Sequence, residues 1–487
     1  MAETPAQELS QTRRRLVLAI CCMSLLIVGL DATIVNVALP AIHSSLHASV
    51  SGLQWVIDAY TLVLASFLLL GGSMADRFGR RRVFQIGLTV FSLGSLLCGL
   101  APTLGWLIAA RILQAVGGAM LNPVAMAIIR NVFDDPRERA MAIGIWGGVF
   151  GLSMALGPVL GGVLVDSVGW PAVFFVNVPV GVAAIILTAM FVPESRAARP
   201  RRLDPIGQLL VIAALATLTY AIIEGPRYGW TSPEILGLFG VSAASFLGLV
   251  LYELHHPDPL LEVRFFRSVP FCGAAAIAIL AFAGFNGFLF LSTLYLQSVR
   301  GLSPLEAGLY LLPTAAMLLI FSPLSGRIVG RHGSRRPTVI GAVAMIGGAA
   351  MLLSLSPTTP FGYLLIAYFA FGVGIGLINP PITNTAVSGM PGDQAGVAAA
   401  VASTSRVVGV TLGVAIIGAV TGGGVEGPIG PSFAYATHSG WAIIVGLGVG
   451  VLVLGFVTTG RWATATARRT AERLRDGRVA PAMAGTQ

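Results

Sequence analysis

The fold of this chain is constrained most by its long apolar segments, because about 20 apolar residues are enough to cross a membrane. Of its 487 residues, 55% are hydrophobic and 10% are charged, whereas soluble domains carry about 25% charged residues. We count fourteen such segments, near residues 16–40, 53–74, 83–101, 105–130, 139–164, 171–192, 206–224, 234–254, 271–297, 305–325, 338–355, 361–384, 395–420 and 439–460. The sequence therefore predicts an all-α polytopic membrane protein.

The basic residues predict the topology. All 30 are arginines, and they cluster in alternate loops; only Arg227 and Arg300 fall in the other set, and Arg111 and Arg406 lie inside spans. Loops rich in arginine stay on the cytoplasmic side, so both termini are predicted to be cytoplasmic. This distribution accounts for the net charge of +9, and we predict no nucleic-acid partner.

Several function classes lack their required residues. The cysteines Cys21, Cys22, Cys98 and Cys272 lie in apolar runs without C-x-x-C spacing, so neither a zinc site nor a disulfide framework is indicated. The chain has no lysine with which to build a nucleotide-binding P-loop, and its histidines are scattered. We predict no cofactor, no metal and no enzymatic activity. A channel remains an alternative, but it would need a pore-lining ring.

The loop between the second and third segments combines charge with glycine. It reads G-S-M-A-D-R-F-G-R-R-R from Gly72, and we call it the latch loop. Gly72 permits close approach of a helix, and Gly79 permits a tight turn. Asp76 can hold arginines such as Arg77 and Arg80, or the N-terminus of a neighbouring helix, in one of two alternating states. A loop that only sets topology explains the arginines but not this spacing.

The latch loop recurs in the second half of the chain. Residues 326–336 align with it without gaps, although Gly330 stands where Asp76 does. A repeat of this kind predicts two parallel six-span halves. The additional pair of spans, 206–254, would lie between the halves.

The latch loop resembles the signature G-x-x-A-D-R-x-G-R-R of the major facilitator superfamily. The stretches LDATIVNVALP (30–40), LQWVIDAYTL (53–62) and RLDPIG (202–207) are similar to those of its fourteen-span drug:proton antiporters. The resemblance implies the major facilitator fold, with two six-helix bundles plus two extra central helices. It also implies proton-coupled transport by alternating access.

The resemblance divides the chain into five parts. These are a disordered cytoplasmic N-terminus (1–12), an N-terminal bundle (13–195), a linker with the two additional spans (196–263), a C-terminal bundle (264–462) and a cytoplasmic tail (463–487).

The fifth span carries the pattern G-x8-G-P-x-x-G-G, which resembles the antiporter motif of the same family. Its residues are Gly148, Gly157, Pro158, Gly161 and Gly162. Glycines at i and i+4 let another span approach closely, and the proline kinks the helix. We expect this kink to seal the cavity from the cytoplasm; generic small-residue packing is the alternative.

Three ionisable residues lie in the first four spans, where they are costly and indicate function. At 1.5 Å per residue, Asp31, Asp58 and Arg111 lie roughly 24, 27 and 28 Å above the arginine-rich ends of their spans. Opposite charges at one depth predict a network, in which loss of an arginine contact lets a carboxylate take up a proton. The resemblance also implies a part in proton transfer for Arg111. The alternatives are a purely structural Asp31–Arg111 pair and an Asp58 that reaches water.

The substrate cavity is predicted from charge and aromaticity. We assign Asp58, Trp55, Tyr60, Phe285 and Arg406 to its wall, because carboxylates and aromatic rings favour lipophilic cations. Interfacial or lipid-facing positions are the alternative for the aromatic residues. Arg406 has no acid near it in sequence; it can bind backbone carbonyls, pair across the cavity or meet an anionic substrate.

Together these features predict a proton-coupled exporter of lipophilic, cationic drugs or toxic small molecules. The alternative is a dedicated exporter of an endogenous metabolite, such as a self-made antibiotic or a siderophore. We expect it in a bacterial cytoplasmic membrane, working as a monomer, with protons, a small molecule and membrane lipid as its only partners.

Overall fold

The protein is all-helical over the described part of the chain. The computed structural model describes residues 10–133, 135–197, 204–256, 262–388, 390, 395–422, 430–460, 462–470 and 472. Its long helices are α1 (Gln11–Leu46), α2 (Val50–Phe78), α3 (Arg80–Gly99), α4 (Leu104–Val132), α5 (Pro136–Ser167), α6 (Ala172–Phe191), α7 (Pro205–Tyr228), α8 (Pro233–His255), α9 (Val269–Val299), α10 (Pro304–His332), α11 (Arg335–Ser354), α12 (Phe361–Val387), α13 (Ala395–Gly422) and α14 (Phe433–Val457).

These helices account for the fourteen predicted spans. Thirteen are long and apolar enough to cross a membrane unbroken. The fourteenth, α5, bends by 41° between Arg137–Met154 and Leu156–Ser167. Pro158 has no N–H, so the carbonyl of Met154, four residues earlier, loses its helical hydrogen bond. The bend lies next to this carbonyl, as expected for a proline kink. Helix α1 begins two residues before the predicted boundary at 13.

The helices extend past the apolar segments because polar residues cap them. The side chains of Ser49, Thr103 and Ser232 accept hydrogen bonds from backbone N–H groups in the first turns of α2, α4 and α8. Ser303 and Glu306 form a complete capping box at the start of α10. Such caps satisfy donors that have no partner within the helix.

Two six-helix halves repeat the same packing, as the duplicated latch loop predicts. In the N-terminal half the closest helix pairs are α3/α4, α1/α5 and α2/α4; in the C-terminal half they are α11/α12, α9/α13 and α10/α12. Gly94 and Gly117 let the backbones of α3 and α4 touch, and Gly348 and Gly374 do the same for α11 and α12. Small residues at equivalent places therefore set the helix spacing in both halves.

The halves meet at the end of the molecule opposite the latch loop; we call the latch-loop end the arginine-rich end. Three seams join them. On the α5/α10 seam Gly162 packs on Leu305, on the α2/α13 seam Val50 packs on Gly422, and on the α1/α9 seam Gln297 donates to the carbonyl of Val37 at 2.9 Å. These contacts close one end of the space between the halves.

Towards the arginine-rich end the same helices separate. Gly144, Gly147 and Gly148 on α5, and Gly326 and Gly330 on α10, have open space where a Cβ would be. The space between the halves therefore opens towards the arginine-rich end.

The extra hairpin, α7 and α8, lies beside the α2/α13 seam. Helix α7 contacts both α2 and α13, whereas α8 packs mainly on α7. The amide of Gln208 on α7 donates to the Ser66 carbonyl on α2 at 2.8 Å. The hairpin therefore touches both halves through a single helix.

Two consecutive prolines shape α12. Pro380 and Pro381 have no N–H, so the carbonyls of residues 376 and 377 lose their helical donors. Ser322 and Ser325 of α10 donate to these carbonyls at 3.2 and 2.7 Å. The kinked part of α12 is therefore held by α10, and it carries residues of the site described next.

Candidate functional site

A buried polar network forms at the centre of the N-terminal half. Asp31 and Arg111 make an ion pair with 2.5 Å between Oδ2 and Nη1, and their side chains are 0% and 2% exposed. Gln114 donates to the other Asp31 oxygen at 2.9 Å and accepts from Arg111 at 2.7 Å. Asn177 also donates to Asp31, at 3.4 Å, and Ser95 accepts from both Gln114 and Asn177. We call these five residues the Asp31 network.

Two further contacts hold the Arg111 guanidinium. Its Nε donates to the Val56 carbonyl at 3.0 Å, and the ring of Tyr60 lies 4.1 Å from its central carbon. A buried ion pair needs such additional contacts to offset the cost of removing its charges from water. The predicted pairing of Asp31 with Arg111 is thus realised as a contact between α1 and α4.

Asp58 lies outside that network, on the α2/α13 seam. One turn before it, Gln54 donates to the carbonyls of Val414 and Ala415 at 3.1 and 2.9 Å. One turn after it, the Thr61 hydroxyl meets that of Thr411 at 2.8 Å. Residues 54, 58 and 61 share one face of α2 by helical spacing, so Asp58 faces the other half of the protein.

The Asp58 carboxylate is 0% exposed, and neither of its oxygens has a hydrogen-bond partner among the described residues. Burying a carboxylate without partners is costly in its charged form and much less so when protonated. Whether the Asp58 carboxylate is covered or reaches water therefore depends on whether the halves are together.

The aromatic residues predicted for the cavity lie in three different places. Trp55 donates to Glu224 of α7 at 2.9 Å and packs against the Tyr220 ring, so it belongs to the contact with the extra hairpin. Tyr60 lies under Arg111 inside the N-terminal half. Phe285 is 5% exposed, and its ring packs edge-on against Phe282 of α9. The structure does not bring these aromatic residues together.

Arg406 is held by α12. Its Nε donates to the Asn379 side chain at 3.1 Å, and its Nη2 donates to the Asn379 carbonyl at 3.3 Å and to Thr383 at 2.6 Å. The Phe282 ring lies 5.8 Å from the guanidinium carbon. Among the described residues no carboxylate lies within ion-pair distance of Arg406.

The latch loop is tied to the N-terminal half. Arg80 pairs with Asp76 at 3.1 Å, and the Asp76 carbonyl accepts from the Ala197 backbone. Gly79 has a φ of 109°, and the Glu194 carboxylate occupies the place of its missing Cβ. A side chain at position 79 would be strained twice, by its backbone and by Glu194. Arg77 is exposed, and Gly72 faces Pro123 of the same half.

The glycines of α5 lie on different faces of the helix and pack against different neighbours. Gly157 and Gly161 pack against α1, at Thr33 and Ile34, whereas Gly162 packs on α10 of the other half. The Pro158 carbonyl also touches α10, at Gly308, and Gly148 faces open space. The close approach predicted for this motif is present, and it lies at the end of the molecule opposite the latch loop. The seal between the cavity and the cytoplasm stays a prediction.

Sequence reasoning missed three hydrogen-bonding partners. Gln114 lies one turn after Arg111, and this spacing was the available signal for its role. Gln54 and Glu194 act across more than 100 residues of sequence, so no local pattern identifies them. No group of three or more metal-ligating side chains occurs within the described residues.

Two repeated helical halves, closed at one end and enclosing buried charges, define an alternating-access membrane transporter. A sequence model of the Major Facilitator Superfamily matches residues 21–414. The chain belongs to that superfamily and is a multi-pass membrane protein.

Curated relatives match most of the chain. The multidrug resistance protein Stp of Mycobacterium tuberculosis is 39% identical over 82% of this chain and 74% of its own length. The tetracenomycin C resistance and export protein of Streptomyces glaucescens is 36% identical over 86% and 78%. The puromycin resistance protein pur8 of Streptomyces alboniger is 35% identical over 93% and 92%.

A solved structure shares the fold. The structure of a bacterial homologue of the human lysosomal transporter Spinster, in an inward-facing and occupied conformation, matches with a TM-score of 0.65. It is 19% identical and covers 95% of this chain and 98% of its own. The major facilitator fold predicted from the repeat is thereby confirmed.

Proposed function

We propose that this protein exports lipophilic small molecules, cationic drugs among them, in exchange for protons. The names of its relatives support efflux, since one is a multidrug resistance protein and another a resistance and export protein for tetracenomycin C. The second name also favours the alternative of a dedicated exporter for one endogenous antibiotic. The two differ in the breadth of substrate, not in mechanism.

The proposed setting is the bacterial cytoplasmic membrane, with a single chain as the working unit. The arginine-rich end, which carries the latch loop and both termini, faces the cytoplasm. The described conformation is then open to the cytoplasm and closed to the outside. It is the state in which an exporter loads its substrate.

Proton coupling rests on the position of Asp58. To open outward, the protein must part the α2/α13 seam, which would expose Asp58 to water on the outside. There the carboxylate can exchange a proton; when the seam closes again, burial without a partner favours the protonated form. Asp58 can therefore carry a proton inward as the halves move.

Asp31 and Arg111 are the other residues that we propose for proton coupling; together with Asp58 we call them the coupling set. The ion pair ties Asp31 to Arg111, so Arg111 must move whenever the contacts of Asp31 change between the two states. Because Arg111 also contacts Val56 and Tyr60 of α2, a movement of α2 at the seam reaches the Asp31 network directly. One helix thus links both carboxylates.

The glycine motif and the latch loop are proposed to set the two end states. The contact of Gly162 and Pro158 with α10 keeps the outside closed. The latch loop has contacts only within its own half among those described here, so Asp76 is available for a different contact when the cytoplasmic end closes. A ligand or proton shifts such an equilibrium only through contacts that differ between the states.

Everted membrane vesicles test the proposal. With a proton gradient, vesicles containing the protein should accumulate tetraphenylphosphonium, and a protonophore should abolish this. Asp58→Asn, which cannot release a proton, should remove the gradient-driven component. The control Glu234→Gln changes an exposed carboxylate in the first turn of α8 and should retain it.

Gradient-driven accumulation by Asp58→Asn at the wild-type rate would exclude Asp58 as the proton carrier. Accumulation by wild type that ignores the protonophore would exclude proton coupling altogether. Uncoupled flux that follows only the tetraphenylphosphonium gradient would indicate a channel.

A further inference from the structure

Arg406 differs from the other arginine within the spans. Arg111 has a carboxylate partner and is 2% exposed. Arg406 is half-buried, and its recorded hydrogen-bond acceptors, Asn379 and Thr383, are all uncharged. A charge within the membrane is expensive unless it is paired or reaches water. Arg406 therefore has a charge that the described part of the protein leaves uncompensated.

The guanidinium is held with one edge free. Its Nε and Nη2 are occupied by Asn379 and Thr383, which lie one turn apart on α12. Its Nη1 has no hydrogen-bond partner among the described residues and is not among their buried unsatisfied atoms. An arginine fixed by neutral acceptors on one side presents its remaining donors to an incoming group at little further cost in side-chain entropy.

Helix α12 makes this arrangement rigid. Asn379 directly precedes the two prolines, and the carbonyls that these prolines free are bound by Ser322 and Ser325 of α10. The kink cannot relax without losing both hydrogen bonds. The acceptors that orient Arg406 are thus fixed by a second helix.

Arg406 lies just past the hydrogen-bonded part of the α2/α13 seam. On α13 it is five residues from Thr411, the last hydrogen-bonded residue of the α2/α13 seam, and about 7.5 Å closer to the arginine-rich end. Phe282 lies over the guanidinium, and Phe285 packs against Phe282. A charged donor edge and an apolar aromatic wall are therefore side by side.

We infer that Arg406, oriented by Asn379 and Thr383, binds an anionic group, such as a carboxylate, on an amphipathic substrate. This inference rests on the proposed export function and adds to its substrates molecules that carry an acid group besides their lipophilic part. Arginine suits this task because its planar donors match the two oxygens of a carboxylate.

Equilibrium binding to the purified full-length protein in lipid nanodiscs tests the inference. The probes are norfloxacin, which carries an aromatic system, an amine and a carboxylate, and its methyl ester, which lacks only the acid. The wild-type protein should bind the acid about tenfold more tightly than the ester. In Arg406→Gln this ratio should fall to near one, while the affinity for the ester stays unchanged.

Two further variants distinguish the loss of the Arg406 charge from a general disturbance of the fold. Arg406→Lys keeps the charge and should keep part of the preference for the acid. Arg227→Gln removes an exposed arginine at the opposite end of the molecule and should keep all of it. Unchanged ester binding by Arg406→Gln shows that this variant is folded.

The inference is overturned if the wild-type ratio is near one, absence of binding included, or if Arg406→Gln retains the preference for the acid. The measurement uses no proton gradient, so it is independent of the vesicle experiment. A failure of gradient-driven tetraphenylphosphonium accumulation would remove proton-coupled export but leave the acid-to-ester ratio intact.

Discussion

Asp31 and Asp58 are both fully buried carboxylates, yet only Asp31 has a charged partner. Asp31 receives hydrogen bonds from Arg111, Gln114 and Asn177, whereas no hydrogen bond reaches Asp58 from the described residues. The same substitution at the two positions should therefore have different consequences. At Asp31 the substitution deprives a buried arginine of its charged partner. At Asp58 it removes a carboxylate that has no charged partner.

We predict that Asp31→Asn lowers thermal stability strongly, because an unpaired buried arginine costs about 3–5 kcal/mol. The double variant Asp31→Asn with Arg111→Gln should recover most of that loss, since replacing both partners leaves no buried charge. Proton-driven efflux should be absent in both. Thermal unfolding in detergent and vesicle transport measure the two effects, and Asp58→Asn, expected to unfold near the wild-type temperature, is the control.

A double variant that is no more stable than Asp31→Asn would mean that the pair is not the main source of the loss. Wild-type efflux by either variant would remove Asp31 from the coupling set.

Asp76 offers a second contrast at the residue scale. Its pair with Arg80 is partly exposed, at 34% for the Asp76 side chain, and such pairs contribute only about 0.3–0.5 kcal/mol. We predict that Asp76→Asn leaves the unfolding temperature almost unchanged but reduces efflux severely, because the two end states lose a contact that differs between them. Unimpaired efflux would limit the latch loop to setting topology.

Among the elements, α5 carries one glycine that packs tightly on the other half and another that does not. A Cβ at Gly162 would collide with the backbone of Leu305 across the α5/α10 seam, whereas one at Gly148 would meet nothing. We predict that Gly162→Val destabilises the conformation that is closed to the outside, whereas Gly148→Val leaves its stability unchanged. Reaction of a single cysteine at Asp58 with an impermeant thiol reagent added outside measures the difference.

In a Gly162→Val background the cysteine should react faster than in an otherwise wild-type background, because the seam no longer covers it. Equal rates in both backgrounds would show that this glycine does not control closure of the outer end.

The sequence predicted the helices more accurately than the contacts between their side chains. Apolar length and arginine clusters predicted fourteen spans, and the duplicated latch loop predicted two equivalent halves, because both patterns follow from the membrane itself. Helical depth placed Asp31, Asp58 and Arg111 at one level, but depth says nothing about direction around the helix axis. Residues 54, 55 and 56 of α2 face α13, α7 and Arg111, and only the packed structure shows this.

For the whole molecule, orientation in the membrane is the prediction to test first. A cysteine at Arg300 should react with an impermeant thiol reagent in intact cells, and one at Arg331 only after the cells are opened. The native cysteines are replaced by serine in both. Labelling at Arg331 alone in intact cells would invert the topology and, with it, the assignment of this conformation as open to the cytoplasm.

The extra hairpin also bears on how the whole molecule moves. Ala197, bound to the latch loop, and Asp204, which caps the start of α7, are seven residues apart, and a chain of that length reaches at most about 25 Å. At its other side α7 rests on both α2 and α13. If α7 moves with the C-terminal half, the length of this one segment limits how far that half can move away from the latch loop during transport.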